Sequence, residues 1–459
     1  MSRSGLTGGC TALLACAALL CARTSFSSVF PQVPPSSPAA TSNQASGLTL
    51  DQAIAAALAN DPAYAAIVAS TGSARLDASI SRSALLPNVS AHGQYLYTQP
   101  NGLRNQAGQT GNQQAPRFIA NNAIREYAAQ ILVNQNVSLA AVADYRRARA
   151  LSAQATADLE SARRDLVSRT VATYYSVLST ADKVEVARRA LDESETFVDL
   201  TGKLEGGREV AHADVVKANL EYQQRQREFD DATLSAEKAH LDLAVLLFPD
   251  PHTPYTIAPL DMLAPLSNEP AVQAAASLNN PDLRSALEAM HAAQNEVLAA
   301  RAAYLPALSF NYSYGIDAPQ FAVNGPDGVR NLGYSASASI DFPVWDWFAT
   351  HDRVRQSQLH EKAAQATLTN TQRQLIAQLD EYYHEARVAT DQVDSLHTSV
   401  DTARESLRLT RLRYSNGEAT ALEVVDAQSA LSLAEAALAD GILRSHVARA
   451  NLQTLTGTL

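Results

Sequence analysis

Beyond its first 21 residues the chain has no cysteine; Cys10, Cys16 and Cys21 are the full set. Disulfide and thiol mechanisms are thereby excluded for the rest of it. Aromatics are scarce, at 6% of 459 residues with two tryptophans, so one bulky core is not expected. Alanine and short polar residues dominate instead and suit closely packed helices. Positive charge is in deficit: 36 Lys and Arg stand against 47 Asp and Glu, a net charge of −11. With no basic stripe, nucleic acid is a poor partner. After the N-terminus no stretch approaches the run of about 18 apolar residues that a transmembrane helix needs. If the chain crosses a membrane, it does so with strands. Phosphate loops, dinucleotide fingerprints, paired-cysteine metal sites and nucleophile elbows are missing too. His351, His360, His384 and His397 lie in charged helical sequence, and no carboxylate pair sits in apolar surroundings. The expectation is no enzyme, no cofactor and no metal site.

What is present begins with Arg3 and the apolar run TALLACAALLCA, residues 11–22. It is too short for a bilayer span and fits a signal-peptide core, so residues 1–24 read as a signal peptide. LLAC, ending at Cys16, looks like a lipoprotein processing site that would lipidate Cys16; alternatively Cys16 is only an apolar residue of the signal. Residues 25–46 are Pro/Ser-rich and read as a tether.

The chain then says nearly the same thing twice. Pro62 to Pro87 is 25 residues, and so is Pro281 to Pro306, at an offset of 219. ATYYSVL (172–178) answers DEYYHEA (380–386), and ADVVKA (213–218) answers LEVVDA (422–427). Two repeats follow, 47–250 and 271–459, joined by a linker over 251–270. Each predicts a short helix, two strands and two long helices.

Strands are expected over ~89–98, ~129–137, ~307–316 and ~334–342. In the third, Leu308, Phe310, Tyr312 and Tyr314 alternate with Ser309, Asn311, Ser313 and Gly315. Period two gives one apolar and one polar face, at the length of a tilted transmembrane strand. A soluble half-buried sheet shows the same alternation. Tyr95, Tyr97, Tyr312, Tyr314, Trp345 and Trp347 fit an interfacial aromatic girdle. Four strands cannot close a barrel, so membrane-spanning strands require several chains to pool them.

Long helices are expected over ~139–204, ~210–247, ~349–415 and ~419–456. The first and third lack proline, and glycine appears only at Gly202. A heptad runs through Leu375, Leu379, Tyr382, Ala386, Ala389, Val393, Leu396, Val400, Ala403, Leu407, Thr410 and Tyr414. Gly206-Gly207 and Asn416-Gly417 read as left-handed caps that turn each long helix back into an antiparallel hairpin. Past the second turn, Glu423 and Asp426 share one helical face. Like charges there repel, so either the face is merely solvated or the charge is wanted.

LTLDQAIAAALANDP (48–62), the LLP and YLP before strands, FPVWDW (342–347) and YSNGEATALEVVDAQ (414–428), in this order and spacing, resemble the TolC-type outer membrane efflux family. The resemblance covers residues 47 to about 457. It implies a mainly α chain with a transmembrane β-barrel portion. As a homotrimer, it would combine a 12-stranded barrel in outer membrane lipid with an α-helical periplasmic tunnel. It implies a passive exit duct of tripartite efflux or type I secretion, partnered by a periplasmic adaptor and an RND or ABC inner-membrane pump. It implies that Glu423 and Asp426 line an acidic constriction at the tunnel entrance, where Tyr414 and Asp214 make inter-helix contacts. The family's arginine two residues after the turn glycine is Ala419 here, so its charged latch is not expected, though Arg208 is a candidate substitute. A non-conducting trimeric adhesin or spacer, and a soluble helical binding module with a small sheet, are the other readings.

Overall fold

The structure, a computed structural model, describes residues 47–98, 125–258, 269–325 and 328–457. The expected signal, the tether, Cys16 and the 99–124 loop lie outside these.

Four antiparallel strands, β1 (Asn88–Tyr97), β2 (Arg125–Val137), β3 (Ala307–Ala318) and β4 (Leu332–Asp341), form one sheet in the order β1-β2-β3-β4. β2 starts four residues before the expected ~129, because Tyr127 and Ala128 pair with Ala318 and Asp317. The Ala128-Ala129 pair had blurred the alternation there.

Register sorts the side chains. One row across the sheet reads Asn88, Asn134, Asn311, Ser337; the adjacent row reads Val89, Val133, Tyr312, Ala336. Because strand side chains alternate in direction, all four strands present polar residues on one face and apolar residues on the other. Among the described residues no helix covers the apolar face. Val89 is 67% and Tyr334 76% exposed, with Tyr95, Ile131, Phe310, Tyr312 and Ile340 bare beside them. β1 and β4 each pair on one side only.

Below the sheet run α1 (Leu50–Asn60), α2 (Pro62–Ser83), α3 (Leu139–Gly206), α4 (His212–Leu247), α5 (Glu269–Asn279), α6 (Pro281–Ala302), α7 (Ala349–Ser415) and α8 (Ala421–Thr456). At 1.5 Å per residue α3 and α7 are each about 100 Å long. In the half nearer the sheet α2 packs on α3, α3 on α6, and α6 on α7; in the far half α4 packs on α3, α3 on α8, and α8 on α7. Each half is therefore a four-lane ribbon, and α3 and α7 are common to both. Where the halves meet, Ala53, Ala57, Leu166, Tyr174, Leu243 and Leu247 form one core; in the second repeat Val272, Ala276, Leu379, Ala386, Ala389 and Leu452 form its counterpart. All twelve heptad positions on α7 are buried or half-buried. The outer lanes keep exposed apolar residues, Val216, Leu220 and Val245 on α4 and Leu359 and Ile376 on α7.

The hairpin turns correct one expectation. Gly417 takes the left-handed conformation at φ 75°, but in the first turn that position belongs to Arg208, at φ 63°, and not to Gly206 or Gly207. The hydrogen bonding is the same in both turns. The Arg208 and Glu209 amides donate to the Glu205 and Leu204 carbonyls, as those of Gly417 and Glu418 donate to Tyr414 and Arg413. The turn's geometry fixes which residue is left-handed, and the first repeat places a bulky residue there.

Candidate functional site at the helical tips

Near the far end of the ribbon the long helices converge on one apolar cluster. Phe197 comes from α3, Ala218 from α4, Tyr414 from α7, and Val424 and Val425 from α8. The Phe197 and Tyr414 rings lie 5.3 Å apart at 60°. Tyr414 is 4% exposed, and its hydroxyl has no hydrogen-bond partner. The Thr201 hydroxyl beside it donates instead to the Phe197 carbonyl, 2.7 Å away. Burial pushes the phenol pKa up, the Thr201 hydroxyl beside it pulls it partly back, and the Asp214 carboxylate nearby raises it again. Tyr414 and Asp214 are thus brought together electrostatically without a hydrogen bond.

Glu423 has a role its sequence position advertised and the charge argument overlooked. Thr420-x-x-Glu423 is a capping box that starts α8. The Glu423 amide donates to the Thr420 hydroxyl at 3.3 Å, and the Thr420 amide donates to Glu423 Oε1 at 3.2 Å. Its other oxygen, Oε2, meets Arg413 Nη1 at 3.4 Å, and Arg413 Nη2 donates to the Glu418 carbonyl at 3.0 Å. Arg413 therefore ties the end of α7 to the start of α8 inside one hairpin. Arg208, the candidate substitute, makes no side-chain hydrogen bond or ion pair among the described residues. Asp426 is exposed and likewise bonds to nothing there. Both acids project from the wet face of α8, opposite Val424 and Val425.

The ties between hairpins were not foreseen. Glu435 on α8, its side chain 10% exposed, accepts from Arg189 on α3 at 3.1 Å and Arg404 on α7 at 3.0 Å. Arg225 on α4 is buried against Glu221 and Glu228 and donates to the Ser429 hydroxyl on α8, all at 2.7 Å. Arg411 reaches Glu193 at 3.4 Å. These arginines, except Arg225, line a cleft of about 360 Å³ between α3, α7 and α8. The pairings that cross between hairpins, Arg189–Glu435, Arg225–Ser429 and Arg411–Glu193, join residues more than 200 positions apart and leave no local signal. His446, on α8, is unlike the four histidines in charged helical sequence: it is buried, stacked on Tyr175 at 4.3 Å, and desolvation, then Arg449, lowers its pKa to about 4.

This arrangement has known counterparts. A family model described as outer membrane efflux protein matches residues 272–458, the second repeat. Over that repeat the chain is similar to the outer membrane efflux family. The pyoverdine export outer membrane protein OpmQ of Pseudomonas aeruginosa is 24% identical over 84% of this chain and 80% of its own length. Outer membrane protein TolC of Escherichia coli is 22% identical over 82% of this chain and 76% of its own length. The Campylobacter jejuni CmeC outer membrane channel superposes with a TM-score of 0.76 at 18% identity, over 89% of this chain and 85% of that one. This protein resides in the outer membrane of a Gram-negative bacterium, and its helices stand in the periplasm.

Proposed function

We propose that three copies of this chain close a 12-stranded barrel. The trimer then serves as the passive exit duct of a tripartite export machine, gated at the helical tips. One observation carries the reading: an apolar sheet face that, among the described residues, is uncovered and lies between two unpaired edges. Large exposed apolar surface marks a membrane or protein partner, and hydrocarbon tolerates no open strand edge. Four strands fall short of the roughly eight of the smallest outer-membrane barrels, and three chains supply enough. The exposed apolar residues on α4 and α7 give each ribbon two flanks for its neighbours.

At the tips, threefold repetition makes rings of Glu423 and Asp426. Such rings draw cations and repel anions at the mouth of a pore. The Tyr414 cluster, with Asp214 at its margin, holds the hairpins together behind them. A periplasmic adaptor and an RND- or ABC-type inner-membrane pump complete the machine, and cargo selection rests with the pump. Residues 1–24 serve as the export signal; the mass of the mature N-terminus distinguishes simple cleavage from lipidation at Cys16.

The test is purification followed by planar-bilayer recording. The expected result is a detergent-dependent trimer that conducts ions with a mostly closed entrance. A water-soluble monomer without conductance overturns the proposal.

A further inference from the structure

The chain is acidic as a whole, yet directly below the sheet the balance reverses. Residues 79–87, 138–147, 301–306 and 343–356 contain six arginines, Arg82, Arg146, Arg147, Arg301, Arg353 and Arg355, against three carboxylates, Asp144, Asp346 and Asp352. All six arginines are exposed, and none makes a side-chain hydrogen bond or ion pair among the described residues. Arg353 acts on Asp346 only through its field. Exposed arginines collected without carboxylate partners, in a chain with more acids than bases, have a surplus of charge to give to something else.

Their level and direction say what. Arg82 lies in the last turn of α2, six residues before the start of β1. A hollow beside the strand bases is lined by Ile80 and Ser83 of α2 and by seven strand residues, five of which, Asn134 and Asn311 among them, belong to the polar sheet face, while Val89 and Gln135 do not. The Ile80 side of α2 therefore belongs to the polar face. Arg82 is about 200° round the helix from Ile80 at 3.6 residues per turn, which places it on the side of the apolar face. Arg301 is its repeat equivalent, five residues before Pro306 as Arg82 is before Pro87. At the same level Trp345 and Trp347 are 63% and 82% exposed, next to bare Phe342, Val344 and Phe348. Tryptophan beside exposed arginine at the end of an apolar band is the composition of a membrane–water boundary.

We propose that this collar binds the anionic headgroups of phospholipids in the periplasmic leaflet, seating the barrel at a fixed depth. The proposal rests on the membrane-spanning reading of the sheet. The headgroup zone adds roughly 5–8 Å on each side of the hydrocarbon core, and extended arginine side chains at this level reach it. Attraction of basic groups to an anionic surface is worth about a fivefold preference per engaged arginine at low salt.

Trp345 and Trp347 are the chain's two tryptophans, so tryptophan emission, excited selectively over tyrosine, reports on the collar alone. The full chain is reconstituted in phosphatidylcholine vesicles doped with brominated phosphatidylglycerol or, separately, brominated phosphatidylcholine. The expected result is stronger quenching by the glycerol lipid, weakened by salt. The preference is lost in an R82Q/R301Q/R353Q/R355Q variant and restored when lysine replaces the same four arginines. No quenching by either lipid defeats the membrane reading itself. Equal quenching by both lipids, or a preference that survives in the glutamine variant, overturns the collar and leaves the membrane reading intact.

Discussion

Replacing Tyr414 separates two accounts of the tip. If a phenolic hydrogen bond latches the entrance, Tyr414→Phe loosens it. Among the described residues the hydroxyl makes no well-formed hydrogen bond, since Thr201 beside it donates to a backbone carbonyl, and the ring packs on Phe197, Val424 and Ala421. A buried hydroxyl without a partner costs roughly 1–3 kcal/mol, so Tyr414→Phe is expected to be neutral or to stabilise the tip by about 1 kcal/mol. Tyr414→Ala empties the space of an aromatic ring at the junction of α3, α7 and α8 and is expected to cost about 3–5 kcal/mol per chain. Thermal unfolding of the detergent-solubilised protein gives the stability order alanine variant, wild type, phenylalanine variant. Planar-bilayer recording is expected to show a closed entrance in the phenylalanine variant and an open one in the alanine variant. If Tyr414→Phe opens the entrance as far as Tyr414→Ala does, the hydroxyl has a partner, and packing is not what holds the tip.

The other predictions concern the same hairpins. Glu423→Gln with Asp426→Asn removes the acidic rings but keeps the cap, since glutamine also fills the third position of a capping box. It is expected to raise conductance and weaken block by divalent and trivalent cations; unchanged block removes the role assigned to the acids. Glu423→Ala additionally loses about 1 kcal/mol of helix stability. Arg208→Gly relieves a left-handed non-glycine residue, so the first hairpin is expected to gain up to about 1 kcal/mol, read as a rise in Tm. His446 titrates lower in the folded chain, at about 4, than when unfolded, near 6.5. Its neutral form therefore contributes stability above pH 6.5 that is lost as pH falls from 6.5 to 4. His446→Phe, stacked on Tyr175, is expected to flatten the acid side of the stability profile over that window.

The sheet and the long helices were legible because their causes are periodic. Alternation in 308–315 and the α7 heptad each repeat often enough to outweigh one misfit, whereas Ala128-Ala129 hid the start of β2. Leucine and alanine positions announced the seams, and Thr420-x-x-Glu423 announced a cap that an argument from charge alone passed over. Glu435 with Arg189 and Arg404, and Arg225 with Ser429, were not legible. A charged residue on a helix has no period, and its partner is chosen by which lanes the fold lays side by side. His446 belongs with them, because its burial follows from the position of Tyr175 on another helix.

The inexact copying of the two halves has an outcome of its own. The first turn leads to Asp214 and Lys217 where the second leads to Glu423 and Asp426. In a threefold assembly six tips therefore alternate between a near-neutral kind and an acidic kind. One codon change alters every other tip and leaves the three between untouched. Mutation can thus retune the acidic tips while the near-neutral ones continue to set the spacing.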